Sequence, residues 1–112
     1  MKIYGDFTEK EAKILTTLGC RYSLKDLIGS KFRIVGCIDT EVKRKSDDGS
    51  EYQTNYLKVA DDELQTVSTV KYTQTVITDQ AISIIENDLT DIVVSLDYTE
   101  SNSGNRYLSI SI

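Results

Sequence analysis

The chain has 112 residues, a net charge of −5 and an apolar fraction of 39%. A chain of this length forms one domain around one core, and this apolar content excludes wholesale disorder. We therefore expect residues 1–112 to fold as a single domain. No apolar run has the length of a membrane span, and the first residues lack the apolar core of a signal peptide. The sequence predicts a cytoplasmic protein without a membrane partner.

The residue types present argue against catalysis and against a metal centre. The chain has no histidine, and Cys20 and Cys37 are its only cysteines. Histidine is the commonest general base and metal ligand, and two cysteines without histidine do not complete a zinc site within one chain. We therefore expect a protein that is not an enzyme and has no cofactor or metal. The acidic runs at 47–48 and 61–63 are typical of solvated turns, and the two thiols are expected to be reduced and buried.

Residues 1–30 are expected to form a helical N-terminal segment. Thr8 and Glu11 have the spacing of a capping box, which marks the start of a helix. Apolar residues then recur at helical spacing up to Gly19, and a glycine in that place is typical of a helix end. A second, shorter helical turn is expected over 23–29.

From residue 31 onward the apolar residues recur with a period of two, which predicts β-strands. The first strand is long, and Gly36 within it indicates a bend or a bulge. The Asp48-Gly49 pair predicts a hairpin turn in the loop that follows. A short helix opened by Thr78 is expected between the third and fourth strands. The four strands after the first are expected over 51–59, 64–72, 91–98 and 106–112.

This order of elements predicts a mostly β, α+β fold. A long bent first strand, a helix between strands three and four, and a terminal hairpin are the plan of a five-stranded OB-type barrel. We expect that OB-like β-barrel over residues 31–112, after the helical segment. An α+β sandwich built from the same elements is the alternative.

Aromatic and basic side chains are concentrated where such a barrel binds its ligand. Rings on strands two and three could stack on unpaired bases, and cations beside them could contact phosphates. The candidate nucleic-acid-binding residues are Arg33, Lys43, Arg44, Lys45, Tyr52, Tyr56, Lys58 and Tyr72, with Lys71 and Arg106 as further cations. The alternative stays open, because tyrosine also packs well in strands and a basic hairpin tip is often only solvated.

Three stretches resemble small single-stranded DNA-binding proteins of phages and other bacterial mobile elements. They are GSKFRIVG at 29–36, DGSEY at 48–52 and SGNRYL at 103–108. The resemblance implies an OB fold that coats single-stranded DNA without sequence preference, often as a homodimer. It also implies a role in phage or mobile-element DNA replication or recombination, in the cytoplasm of the host cell.

The uneven distribution of charge supports a second interpretation. Residues 59–112 carry nine acidic and two basic side chains, whereas residues 31–58 carry five acidic and six basic ones. An acidic surface without catalytic groups also suits a small protein-interaction module, such as a phage-encoded inhibitor or an accessory subunit. Its partner would then be a replication protein or another host protein. Binding to a protein without affinity for DNA distinguishes this function from the first.

Overall fold

The computed structural model of the chain describes residues 1–40, 43–44, 49 and 51–112. Two α-helices lie in these ranges, α1 (Glu9–Leu18) and α2 (Thr75–Glu86), together with a short 3-10 helix (Leu24–Leu27). The strands are β1 (Lys2–Gly5), β2 (Tyr22–Ser23), β3 (Lys31–Asp39), β4 (Lys43–Arg44), β5 (Glu51–Tyr52), β6 (Asn55–Asp61), β7 (Thr66–Tyr72), β8 (Val94–Glu100) and β9 (Arg106–Ser111). Neither α-helix has the length and apolarity that a helix needs to cross a membrane.

Seven of these strands form one sheet that curls into a half-barrel. Its order is β2-β7-β6-β3-β8-β9, and β1 pairs with β3 outside this path. The pairing is antiparallel except between β2 and β7, which run parallel. The curl is centred on β3, whose register against β6 shifts between Ile34 and Gly36. This irregularity lies at the glycine where the sequence predicts a bend, since a bulge turns the strand and increases its twist.

The concave side of the sheet and helix α2 enclose the main core. Ile34 and Leu57 are fully buried on the sheet, and Ile77 and Ala81 are fully buried on the helix. The 12-residue helix α2 therefore packs its apolar face against the sheet and closes one side of the core. Cys37 is a buried free thiol, whereas the free thiol of Cys20 is only partly buried.

Helix α1 packs on the opposite, outer surface of the sheet. The predicted capping box is confirmed: Thr8 Oγ1 accepts from the Glu11 amide at 3.1 Å, and Glu11 Oε1 accepts from the Thr8 amide at 3.2 Å. A second, smaller apolar cluster joins this helix to the strands below it. Its buried members are Phe7, Ala12, Ile38 and Tyr56. A Cβ at position 36 would lie 2.9 Å from the Phe7 ring, so the glycine at this position leaves room for the ring.

The prediction of five strands is wrong, and residues 1–30 contain two short strands in addition to the predicted helical elements. The described part of the curled sheet has seven strands, because β1 and β2 both come from that segment. Each is too short to show a period of two, and their partners β3 and β7 lie far along the chain. A local pattern therefore carries no signal for them.

Two element boundaries also differ from the prediction. Helix α2 begins at Thr75 and not at Thr78, whose side chain is buried and bonds to Asn55 Nδ2 at 2.9 Å. The long first strand is interrupted after Asp39. There the Thr40 amide donates to Asn55 Oδ1 at 2.9 Å and so does not take part in the pairing between strands. The predicted loop between β4 and β5 lies outside the described residues except for Gly49, whose φ is 71°.

Candidate functional site

Two of the three tyrosines predicted to stack on bases lie in the interior. Tyr72 is 4% exposed, and its hydroxyl lies 2.8 Å from Thr78 Oγ1 and 3.4 Å from Cys37 Sγ. Tyr56 is buried under α1 and donates to the Leu15 carbonyl at 3.1 Å. Stacking needs an exposed ring face, which neither side chain has in this arrangement. Tyr72 projects from the core side of the sheet, and Tyr56 projects from the outer side into the second cluster.

Two of the predicted phosphate-binding cations have partners within the chain. Arg33 donates two bonds to the Asp62 carboxylate, at 2.9 and 3.0 Å, and a third to the Thr90 carbonyl at 3.2 Å. The guanidinium holds the pKa of Asp62 below its usual range. Lys58 Nζ lies 2.7 Å from Glu11 Oε2 and 4.6 Å from the centre of the Phe7 ring. The Lys58 side chain is only 11% exposed, whereas the Arg33 side chain is 28% exposed and its guanidinium is held by a carboxylate.

Three of the four remaining predicted site residues lie on two short strands. Strands β4 and β5 pair antiparallel, with Lys43 opposite Tyr52 and Arg44 opposite Glu51. This register places two basic residues on one strand and an aromatic residue on the other. Lys45 lies outside the described residues.

A basic concavity lies between the 3-10 helix and the end of β7. It has a volume of about 450 Å³, and we name it the basic pocket. The two lysines come from different elements, Lys25 from the 3-10 helix and Lys71 from β7. Both ammonium groups are exposed, and no carboxylate among the described side chains pairs with either. The pocket is lined by Ser23, Leu24, Lys25, Thr54, Lys71, Tyr72, Thr73 and Gln74.

An exposed aromatic ring adjoins the basic pocket. Tyr22 immediately precedes the pocket residue Ser23 in β2, and 48% of Tyr22 is exposed. The Arg21 guanidinium lies 5.8 Å from the centre of its ring. The parallel pairing of β2 with β7 sets Ser23 beside Lys71. Strand β2 thus joins the exposed Tyr22, through its neighbour Ser23, to a pocket that contains two lysines.

Sequence reasoning missed Tyr22 and Lys25, although it weighed Lys71 as a further cation. The available signal was the run of Arg21, Tyr22 and Lys25 within five residues. The helical interpretation of this segment gave these side chains no strand partner. Only the pairing of β2 with β7, which joins residues about 48 apart in sequence, brings them to Lys71.

A second cavity has the opposite charge. Its volume is about 660 Å³, and Asp61, Asp62, Glu63 and Lys31 line it together with the exposed Leu64. The acidic residues form the turn between β6 and β7, as predicted, and Asp61 Oδ1 accepts from the Leu64 amide at 3.1 Å. Across the described ranges, no three His, Cys, Asp or Glu side chains are grouped so as to hold a metal ion.

Tyr72 connects the wall of the basic pocket to the buried interior. Burial raises the pKa of the Tyr72 phenol far above its usual range, and the neighbouring Cys37 adds to the effect. The neutral phenol is therefore favoured in the folded protein. Because an unfolded tyrosine ionises near pH 10, its contribution to stability is present below that pH and is lost as the pH rises above it.

We expect Tyr72→Phe to make the loss of stability at high pH shallower. A tyrosine that stays protonated only in the folded state makes the free energy of unfolding fall by up to about 1.4 kcal/mol per pH unit above pH 10. This variant removes one such tyrosine. Urea unfolding at a series of pH values between 7 and 11 measures how the stability of the wild type and of the variant depends on pH. Tyr107→Phe removes an exposed hydroxyl and is the control. An equal change of slope in both variants would contradict this role of Tyr72.

No family model, curated protein or solved structure matches the chain. The functional argument therefore rests on the geometry of its own residues.

Proposed function

We propose that this protein binds single-stranded nucleic acid, DNA in the first place, without sequence preference. The binding surface consists of the basic pocket, the Tyr22 ring beside it and the hairpin β4–β5. The observation that carries the proposal is the meeting of Lys25 and Lys71 in one concavity, with the exposed Tyr22 next to the pocket residue Ser23 in the chain. Cations that follow the phosphates and rings that stack on bases are the two parts of sequence-independent single-strand binding.

The strand order supports an OB-type barrel as the scaffold of this surface. Strands β3, β6, β7, β8 and β9 are neighbours in the order β7-β6-β3-β8-β9, and α2 follows β7. This is the order of an OB barrel that stays open between its third and fifth strands. In that fold, the second and third strands and the loop before them bind oligonucleotides. The equivalent elements here are β6, β7 and the hairpin β4–β5, and β7 contributes Lys71 to the basic pocket.

The setting of phage or mobile-element DNA replication is part of this proposal. Its support is the resemblance of the stretches 29–36, 48–52 and 103–108 to proteins of that kind. The excess of acidic groups in the C-terminal half does not oppose it, because phosphate contacts depend on local charge. The cations concerned lie at the opposite end of β6 and β7 from the acidic turn.

We expect the double variant Lys25→Gln/Lys71→Gln to lose affinity for oligo-dT. Each phosphate contact with a single strand contributes about 0.7 to the slope of log K against log salt. Removal of two contacts should flatten the slope by about 1.4, which corresponds to roughly 25-fold weaker binding at 0.1 M salt relative to a 1 M reference. Fluorescence anisotropy of a labelled oligonucleotide, titrated at several salt concentrations, measures both quantities.

The matched control is Lys10→Gln/Lys13→Gln, which removes the same charge from the exposed surface of α1. A binding surface at the basic pocket requires the pocket variant to lose much more affinity than this control. Equal losses would mean that only net charge matters, and the pocket assignment would then fail.

A protein-interaction module is the second candidate, and one observation favours it. The acidic cavity beside the turn 61–63 is bordered by Leu64 and Val93, both large apolar residues that are exposed. A basic and apolar surface of another protein would complement it. Capture of a host protein from a nuclease-treated lysate, without any affinity for oligo-dT, would favour this function over the first.

A further inference from the structure

Lys58 is a cation on the outer surface of the sheet, but its side chain is largely buried. Its side chain is 11% exposed, and its ammonium group contacts only the N-terminal segment among the described side chains, through Glu11 and Phe7. The strand itself would otherwise present this lysine to solvent, because it lies on the side of β6 away from the main core. The Glu11 carboxylate, in contrast, is 42% exposed at the edge of α1.

The register of the sheet relates Lys58 to the basic pocket. Lys58 lies directly opposite Thr69 on β7, and Lys71 is two residues further along the same strand and on the same face. Such diagonal neighbours across two strands lie roughly 7–8 Å apart. A nucleic-acid backbone with one phosphate at Lys71 therefore passes close to Lys58, provided that the Glu11 carboxylate leaves it.

The Glu11 carboxylate and a phosphate are chemically alike as partners of Lys58. Each accepts a charge-assisted hydrogen bond from the ammonium group, so the two anions compete for one position. Release of Glu11 needs rotation of its own side chain, which also gives up the bonds that Oε1 accepts from the Thr8 amide and hydroxyl. Helix α1 stays capped during this exchange, because Thr8 Oγ1 accepts from the Glu11 backbone amide independently of the carboxylate.

We propose that Lys58 is a further phosphate-binding residue and that Glu11 occupies it as an internal anion, which competes with a phosphate of the bound single strand. This inference rests on the proposed nucleic-acid function and extends the binding track from the basic pocket along β6. It predicts that Glu11 keeps one phosphate contact of the protein from forming. It also predicts that the charge of Glu11 opposes binding more than any other acidic group of α1 does.

The test compares Glu11→Gln with Glu9→Gln. Both substitutions remove one negative charge from the first turn of α1, but only Glu11 contacts Lys58. Glutamine at position 11 keeps the capping box. The probe is an oligo-dT of about 16 nucleotides, the upper end of the site size of one OB domain. We expect Glu11→Gln to bind about 5-fold more tightly at 0.1 M salt and to steepen the salt slope by about 0.7, with a clearly smaller change for Glu9→Gln.

The double variant Lys58→Gln/Glu11→Gln completes the test. Because it lacks the lysine that Glu11→Gln frees, its salt slope should return to the wild-type value. If Glu11→Gln and Glu9→Gln behave alike while the wild type binds through the basic pocket, the inference about Lys58 is overturned and the proposed function stands. If the wild type does not bind oligo-dT at low salt, both are overturned. Thermal unfolding of each variant verifies that it is folded at the temperature of the titration.

Discussion

Leu57→Ala is expected to lower the free energy of unfolding by about 3 kcal/mol, within the roughly 2–5 kcal/mol range of such core truncations. Leu57 is 0% exposed and lies at the centre of the main core, where its strand neighbours are Cys37 on β3 and Val70 on β7. The alanine removes buried methyl groups and leaves a cavity, because the sheet on both sides of β6 resists collapse.

Leu64→Ala is the matched control for this substitution. Leu64 is 72% exposed in the turn between β6 and β7, so the same truncation should change stability by no more than about 0.5 kcal/mol. Urea unfolding of both variants and of the wild type measures the two effects. Similar losses in the two variants would mean that β6 does not pass through the centre of the core.

Asn55→Ala is expected to lower the free energy of unfolding by a comparable amount, about 3 kcal/mol. Asn55 is buried, and its amide links three elements: Oδ1 accepts from the Thr40 amide, and Nδ2 donates to Thr78 Oγ1 on α2. Thr78 in turn bonds to the Tyr72 hydroxyl. Alanine removes the acceptor of the part-buried Thr40 amide and one of the two partners of the buried Thr78 hydroxyl, and a buried polar group that loses its partner destabilises the fold by about 1–3 kcal/mol.

The control for Asn55→Ala is Asn102→Ala, which removes the same side chain from the exposed loop between β8 and β9. That variant should be as stable as the wild type within about 0.5 kcal/mol. Chemical unfolding curves at neutral pH are sufficient for the comparison. If Asn55→Ala proves as harmless as its control, the amide is not the connection between β6, β3 and α2 that its contacts indicate.

The main strands and both helices could be predicted because their signals are local. A capping box marks the start of α1, alternation marks β3, and a high content of threonine and valine favours a strand at β7. Gly36 gave the position of the bend for the same reason. Strands β1 and β2 have four and two residues, and only their distant partners make them strands. No window of sequence contains that information.

The candidate site was harder to predict because it depends on what covers each face of a strand. Alternation in β6 correctly separates Leu57 from Tyr56 and Lys58, but a period of two does not reveal that α1 lies over the second side. The basic pocket joins Lys25 to Lys71, 46 positions apart, through a parallel pair of strands. Its residues could be named from sequence only as separate cations.

Binding of single-stranded nucleic acid is tested most directly by titrating the wild-type protein with oligo-dT. Intrinsic tyrosine fluorescence is the signal, measured at low and then at high salt. The account predicts quenching at low salt, because bases stack on exposed tyrosine, and weaker binding as salt rises, because lysines contact phosphates. No quenching and no binding at low salt would contradict the nucleic-acid function, and the search would turn to a protein partner of the acidic cavity.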